Sequence, residues 1–348
     1  MSSLQIGLAV AGGLVLAAVV AHGAWVARRN APRQASPEQP PSEPTLGKSA
    51  LSGNGTGCEP TLGEAPPLGI PSMDKQPALD ALLDAVAPIV LETVVSGDAA
   101  LLVMPTTRRA GSKPFFVEGL NQLTHEWEPP ATGQRYEAFQ AGVQLANRTG
   151  ALNEIEYSEF VVKAQTFADA VNGTAQFPEM LDEVARAREL DQFASEHDAQ
   201  LSFTIQAHAV AWSPGYVQQN AAQLGFVMGA MPGRMVLPAS GAGLPPVLTL
   251  SFDPQAAMAD DPTQAAVREL TLALDVAQVA RSERAFVRMR EAARDLAKTM
   301  DGVVTDDKGQ SLAWDDMDVI GYELETLYDT LDTRDLAAGS VLARRLFS

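Results

Sequence analysis

The chain predicts an α+β fold: an antiparallel sheet with helices on one face (split β-α-β), set out as two tandem lobes behind one transmembrane helix. Three observations lead there. Period-two runs mark half-buried strands, as at Leu201, Phe203 and Ile205 with Ser202, Thr204 and Gln206 between them. Stripes spaced 3-4-3-4 mark helices with one apolar side, as at Phe286, Met289, Ala293, Leu296 and Met300. Ile6 to Val26, in contrast, is apolar all round but for His22.

The span comes first in the chain. Ile6 to Ala21 carries no polar side chain, and the run extends to Val26 with only His22 interrupting it. Its 21 residues, at about 1.5 Å each, cover the ~30 Å hydrocarbon core. The preceding MSSLQ has no Lys or Arg and no clear A-x-A site follows, which argues against a cleaved signal peptide. Arg28, Arg29 and Arg33 come after the span, so the positive-inside rule places the short N-terminus outside and the body in the cytoplasm.

Residues 28–77 read as a disordered Pro/Gly-rich linker. Ten of the 23 prolines fall between Pro32 and Pro77, and no apolar periodicity accompanies them. Such a composition cannot bury enough surface to offset backbone entropy. The GNGTG at 53–57 lacks the flanking strand and helix that a phosphate loop requires.

The rest is globular and acidic. The chain has 43 acids against 25 Lys+Arg, a net charge of −18. Residues 1–29 carry +2 and 30–77 carry −2, so the whole excess sits on 78–348. An acidic body repels polyanions, which excludes nucleic acid as a partner and keeps the body off an anionic membrane surface. One cysteine excludes a disulfide framework, and four scattered histidines form no HxxH or HxxxH pair. No metal or cofactor is expected.

Within the body one arrangement occurs twice, 129 positions apart. Ala141, Val143 and Leu145 alternate ahead of a stripe at Tyr157, Phe160, Ala164, Phe167 and Val171, which ends at Gly173. Leu270, Leu272 and Leu274 precede the second stripe in the same way, with Ser282 expected as N-cap and Gly302 as the stop. A second helix follows in each half, from about Phe177 and about Trp314. Earlier strands are expected at Ile89–Val94, Phe115–Leu120, Leu201–His208, Val227–Leu237 and Val247–Phe252, and VVTDDKGQ carries a hairpin signal. The lobes are expected at 78–198 and 199–335, with 336–348 as a C-terminal tail.

The order of these segments resembles a known family. HGAWVARR at 22–29 is similar to the end of the membrane anchor of the bacterial cell-division ZipA family, and a proline-rich linker follows as it does there. QLGFVMGAM at 223–231, LTLALDV at 270–276, the long helix and DGVVTDD at 301–307 then resemble the ZipA C-terminal domain. Residues 78–198 have no counterpart in the family's shorter members. The resemblance implies a sheet whose open face holds the C-terminal tail peptide of the tubulin-like FtsZ, tethering it to the inner membrane. Carried over by position, that face includes Gln206, Met231, Gly233, Thr271 and Ala273, with Lys308 as an edge charge. Met235 and Phe252 are added as compensating apolar groups, because the family has larger side chains where this chain has Gln206, Gly233 and Ala273. Met231 and Met235 fit a core position as well as a surface one.

No residue pattern supports catalysis or a small-molecule substrate. Asp306 and Asp307 are adjacent and point apart on a strand, and no GxSxG partners His208. The acids at Glu154, Glu156, Glu159, Asp182 and Glu183 read as solvated helix faces. Two alternatives remain beside the FtsZ adaptor: a related membrane-anchored adaptor for another partner, and a membrane-anchored enzyme with a dispersed site.

Overall fold

The computed structural model describes residues 32–35, 79–259, 265–306 and 309–348. The expected span at 6–26 and most of the 28–77 stretch lie outside them. Among the described residues no helix is long and apolar enough to cross a membrane.

In the first half, alternating apolar residues build β1 (Asp84–Ser96), β3 (Lys113–Asn121) and β5 (Arg135–Gln144), with two-residue strands β2 (Arg109–Ala110) and β4 (Trp127–Glu128) at the rim. Ser96 accepts the Ala99 N–H and so caps the short α1 (Gly97–Leu102). The hairpin of β6 (Ala146–Asn147) and β7 (Gly150–Ala151) leads to α2 (Glu154–Ala170), then β8 (Gly173–Ala175) and α3 (Met180–His197). The sheet order is β2-β3-β5-β1-β8, with β4 on β3. Asn153 and Glu156 form a capping box that starts α2. Tyr157, Phe160, Ala164 and Phe167 then turn one stripe onto the sheet, where Phe167 meets Phe139 edge-on at 5.2 Å between ring centroids.

The second half contains β9 (Gln200–Ala207), α4 (Pro214–Gln223), β10 (Val227–Met228), β11 (Arg234–Leu237), β12 (Leu248–Ser251), α5 (Pro254–Ala257), β13 (Glu269–Asp275), α6 (Ala285–Met300), β14 (Gly302–Thr305), α7 (Trp314–Asp332) and α8 (Val341–Leu346). Its sheet runs β10-β11-β12-β13-β9-β14. The stretch β3-β5-β1-β8 and the stretch β12-β13-β9-β14 therefore share one order, antiparallel throughout, each with a long helix before its last strand. Ala141 and Val143 lie on β5 and Leu145 is buried just beyond its end, while Leu270, Leu272 and Leu274 lie on β13.

Several local expectations are corrected. Ser282 is not the cap of α6: it sits in a 3-10 turn, and Arg284, in the left-handed region at φ 50°, starts the helix. The Val227–Leu237 strand is broken into β10 and β11 by a turn at 229–233. Glu156 and Glu183 are buried, not solvated; Glu156 accepts from Ser112 N and Oγ, and Glu183 pairs with Arg186 at 2.6 Å. Residues 32–35 of the expected linker are seated on the body.

Residues 336–348 are no tail. Leu336, Ala343, Leu346 and Phe347 are buried, and Arg345 of α8 reaches the first half to pair with Asp84 at 2.5 Å. The Gln144 side chain donates to the carbonyls of Ala146 (2.7 Å) and Arg345 (2.9 Å), so the seam between the halves is hydrogen-bonded from β5 to α8. At the rim of the seam Arg148 bridges Asp198 and Asp275, each at 2.7 Å. Burial pushes the Asp84 carboxyl up, and the guanidinium opposes that shift.

Removing one member of a buried pair strands the other charge, so Arg345→Met is expected to cost about 3–5 kcal/mol. Asp84→Asn added to Arg345→Met removes the stranded charge and is expected to recover most of that loss. Urea unfolding of the three proteins checks it; equal stability of the single and double variants would show that the pair does not hold the seam.

Candidate functional site

Pairing in the second sheet fixes which side chains face outward. Leu270 lies opposite Ile205 and Leu272 opposite Phe203, all buried against α6. The residues between them therefore point the other way. They form rows across the sheet. Val236, Thr249, Ala273 and Ser202 make one row, and Arg234, Ser251, Thr271, Thr204 and Thr305 the next. Glu269, Gln206 and Val303 make a third, toward the far end of β9.

An open groove of about 820 Å³ lies over this face. Its floor is Ser202, Thr249, Ser251 and Ala273; Met231, Pro232, Phe252 and Pro254 form one wall, and Leu201 and Leu274 stand at the other end with Gln200 and Asp275. The turn that carries the first wall depends on Gly233, whose φ is +73° and where a Cβ would lie 2.6 Å from the Phe252 carbonyl oxygen. That turn is closed by the Phe252 N–H donating to the Gly233 carbonyl at 2.9 Å.

The groove gathers four of the expected residues: Met231, Gly233, Phe252 and Ala273. Met231 is the exposed anchor among them, at 55 % accessibility, whereas Phe252, at 6 %, is a core residue with an edge on the groove. Thr271 is on the same face one row away, and Gln206 is exposed on it but beyond the groove. Met235 is corrected: it is 2 % exposed, opposite Leu250 on the core side of β11. Its parity along the strand, opposite to that of Arg234 and Val236, is the reason. Lys308 lies outside the described residues.

Sequence reasoning missed Thr249 and Ser251 on the floor and Leu201 and Leu274 at the end. The first two follow from the alternation in β12, once its register against β13 is known. The chemistry of the floor differs from an apolar platform. Serine and threonine hydroxyls retain hydrogen-bonding needs after a partner covers them, so apolar burial is confined to the walls. Among the described residues no group of three or more His, Cys, Asp or Glu side chains could hold a metal ion.

The first sheet presents a different outer face. Trp127, Leu120, Ala138 and Val90 form a continuous row across four strands, with Val90 at 55 % and Trp127 at 40 % accessibility.

Comparison with known proteins adds the following. Residues 252–321 match the family model described as ZipA, C-terminal FtsZ-binding domain. That segment spans β13 with Thr271 and Ala273, α6, β14 and the start of α7, but not β9, β11 or β12. No curated protein matches the chain. Among solved structures, an alkyldihydroxyacetonephosphate synthase aligns at 12% identity and a TM-score of 0.17, over 74% of this chain and 45% of that one. The chain thus spans less than half of that enzyme's length, and a likeness so slight carries no argument. Through residues 252–321 the chain is similar to the ZipA C-terminal FtsZ-binding domain, and the match ends there.

Proposed function

We propose that the protein is a membrane-anchored cell-division adaptor that holds the C-terminal tail of FtsZ in the groove on its second sheet. The tether is the apolar run at 6–26, with the body on the cytoplasmic side of a bacterial inner membrane. One observation carries this reading: the segment that matches an FtsZ-binding domain supplies the centre of the groove, at Ala273 on β13. The groove is open and assembled from four neighbouring strands.

Binding energy comes mainly from the walls. A fully buried Met or Phe contributes roughly 1.5–3 kcal/mol in area terms, less the cost of ordering the peptide. With a hydroxyl floor and Met231 as the main exposed anchor, affinity on the order of micromolar, near −8 kcal/mol, is expected.

The first test is calorimetric titration of the tail peptide into wild type and Ala273→Asp. The substitution puts a charge on the floor while leaving Leu270, Leu272 and Leu274 untouched, so binding is expected to vanish with circular dichroism unchanged. Undiminished binding would move the site to the row at Val90, Leu120 and Trp127 on the first sheet.

A pair of methionine truncations separates groove from core. Met231→Ala is expected to weaken tail binding several-fold at unchanged stability. Met235→Ala is expected to cost about 2–5 kcal/mol of stability, as large-to-small core changes do, with little effect on the affinity of the folded fraction. Thermal melts and titrations on both variants read the two effects; the opposite assignment would put Met235 on the groove and Met231 in the core.

A further inference from the structure

We infer that the second lobe has a docking site for the chain's own segment just after the apolar run, and that this dock, with Arg33 as its clasp, holds the body close to the membrane. The inference rests on the reading of 6–26 as a membrane span. Arg33 forms a parallel bridge with Trp212: its N–H donates to Ala211 O at 2.7 Å, and its carbonyl accepts from Ser213 N at 2.9 Å. Its side chain continues the attachment. Nη1 donates to the Met300 carbonyl at 3.0 Å and Nη2 to Asp301 Oδ2 at 2.7 Å.

The receiving surface is built for a cation. Met300 is the last residue of α6, so its carbonyl lies at the negative end of the helix dipole. Trp212, fully buried, donates its indole N–H to that carbonyl at 2.8 Å and pairs its backbone with Val267 on its other side. Arg33 thus joins a strip also held together by Trp212, Val267 and Met300.

Geometry gives the consequence. From Val26 to Arg33 is seven Cα steps, which at about 3.5 Å each cannot exceed roughly 25 Å. An attachment at Arg33 therefore keeps the second lobe within that reach of the membrane, against the repulsion between its acidic body and anionic lipid. The 43 residues from 36 to 78 then join two points on the body, Ala35 and Leu79, and no longer measure the distance to the bilayer. A spacer becomes a closed loop. The ion pair is partly exposed, 35% and 50% for the two side chains, and such pairs are individually weak. Intramolecular closure supplies an effective concentration on the order of millimolar, so a weak attachment suffices.

A disulfide trap tests the dock in the full chain. A Cβ built at Gly215 lies 3.8 Å from the Ala35 Cβ, the usual separation across a disulfide. Ala35→Cys with Gly215→Cys, in a Cys58→Ser background and in phosphatidylcholine nanodiscs, is expected to bridge nearly completely under mild oxidation. Adding Arg33→Glu is expected to slow bridging two- to five-fold, and Asp301→Arg on top of that to restore it. No bridging in the parent, or bridging indifferent to Arg33→Glu, overturns the dock. Carbonate extraction of the same sample reads the membrane span separately: bridged protein that leaves the lipid overturns the short tether through the anchoring reading alone.

Discussion

The register between β13 and β9 is the constraint from which the second lobe follows. With Leu270 opposite Ile205 and Leu272 opposite Phe203, the apolar set of both strands falls on one side and closes against the stripe of α6. A slip of one residue would turn β13 over against β9, burying Thr271 and Ala273 and exposing the leucines. The core therefore dictates the groove. Nothing on the floor needs to favour its own outward position, which leaves those residues open to change without loss of the fold. Their hydroxyl character in this chain is an instance of that freedom.

The first lobe is tied to the second by its far end. The last helix, α8, belongs to the second half by sequence yet closes the seam, through Arg345 on Asp84 and through the Arg345 carbonyl on Gln144. Phe347 and Leu346 are fully buried beside it. Two lobes of one topology could have remained beads on a string. Here the chain's terminus locks them, so that the outer faces of the two sheets keep a fixed relation. One of those faces is hydroxyl-rich and the other carries an apolar row, a difference that suits them to different partners.

What the sequence revealed divides along physical lines. Period-two alternation and 3-4-3-4 stripes are local consequences of burial, and they located β5, β13, α2 and α6 to within a few residues; the expected stops Gly173 and Gly302 instead open β8 and β14, each one residue after a left-handed Asn172 or Asp301. Caps and tails were less legible. The α6 start rests on a left-handed Arg284, which no capping preference signals. The packing of 336–348 and the seating of Arg33 depend on distant partners, Asp84 and Asp301, that spacing cannot reveal. On the open face, parity found Ala273 and Thr271 on β13, whereas Met235, added only as a compensating apolar group, lies on the core side of β11 opposite Leu250.

The composition of the groove also limits how a partner can be held. A peptide lying over Thr249 and Ser251 must leave each hydroxyl with a partner, through its own backbone, a polar side chain or bridging water. A uniformly apolar helix meets none of these needs and is favoured only at the exposed Met231 margin. The floor thus selects for a peptide that is apolar at its edges and polar along its middle. Affinity then depends on how well one or two side chains fill the walls. The floor contributes discrimination, since a mismatched partner strands buried hydroxyls, and each stranded hydroxyl cancels about as much free energy as one well-filled wall position supplies.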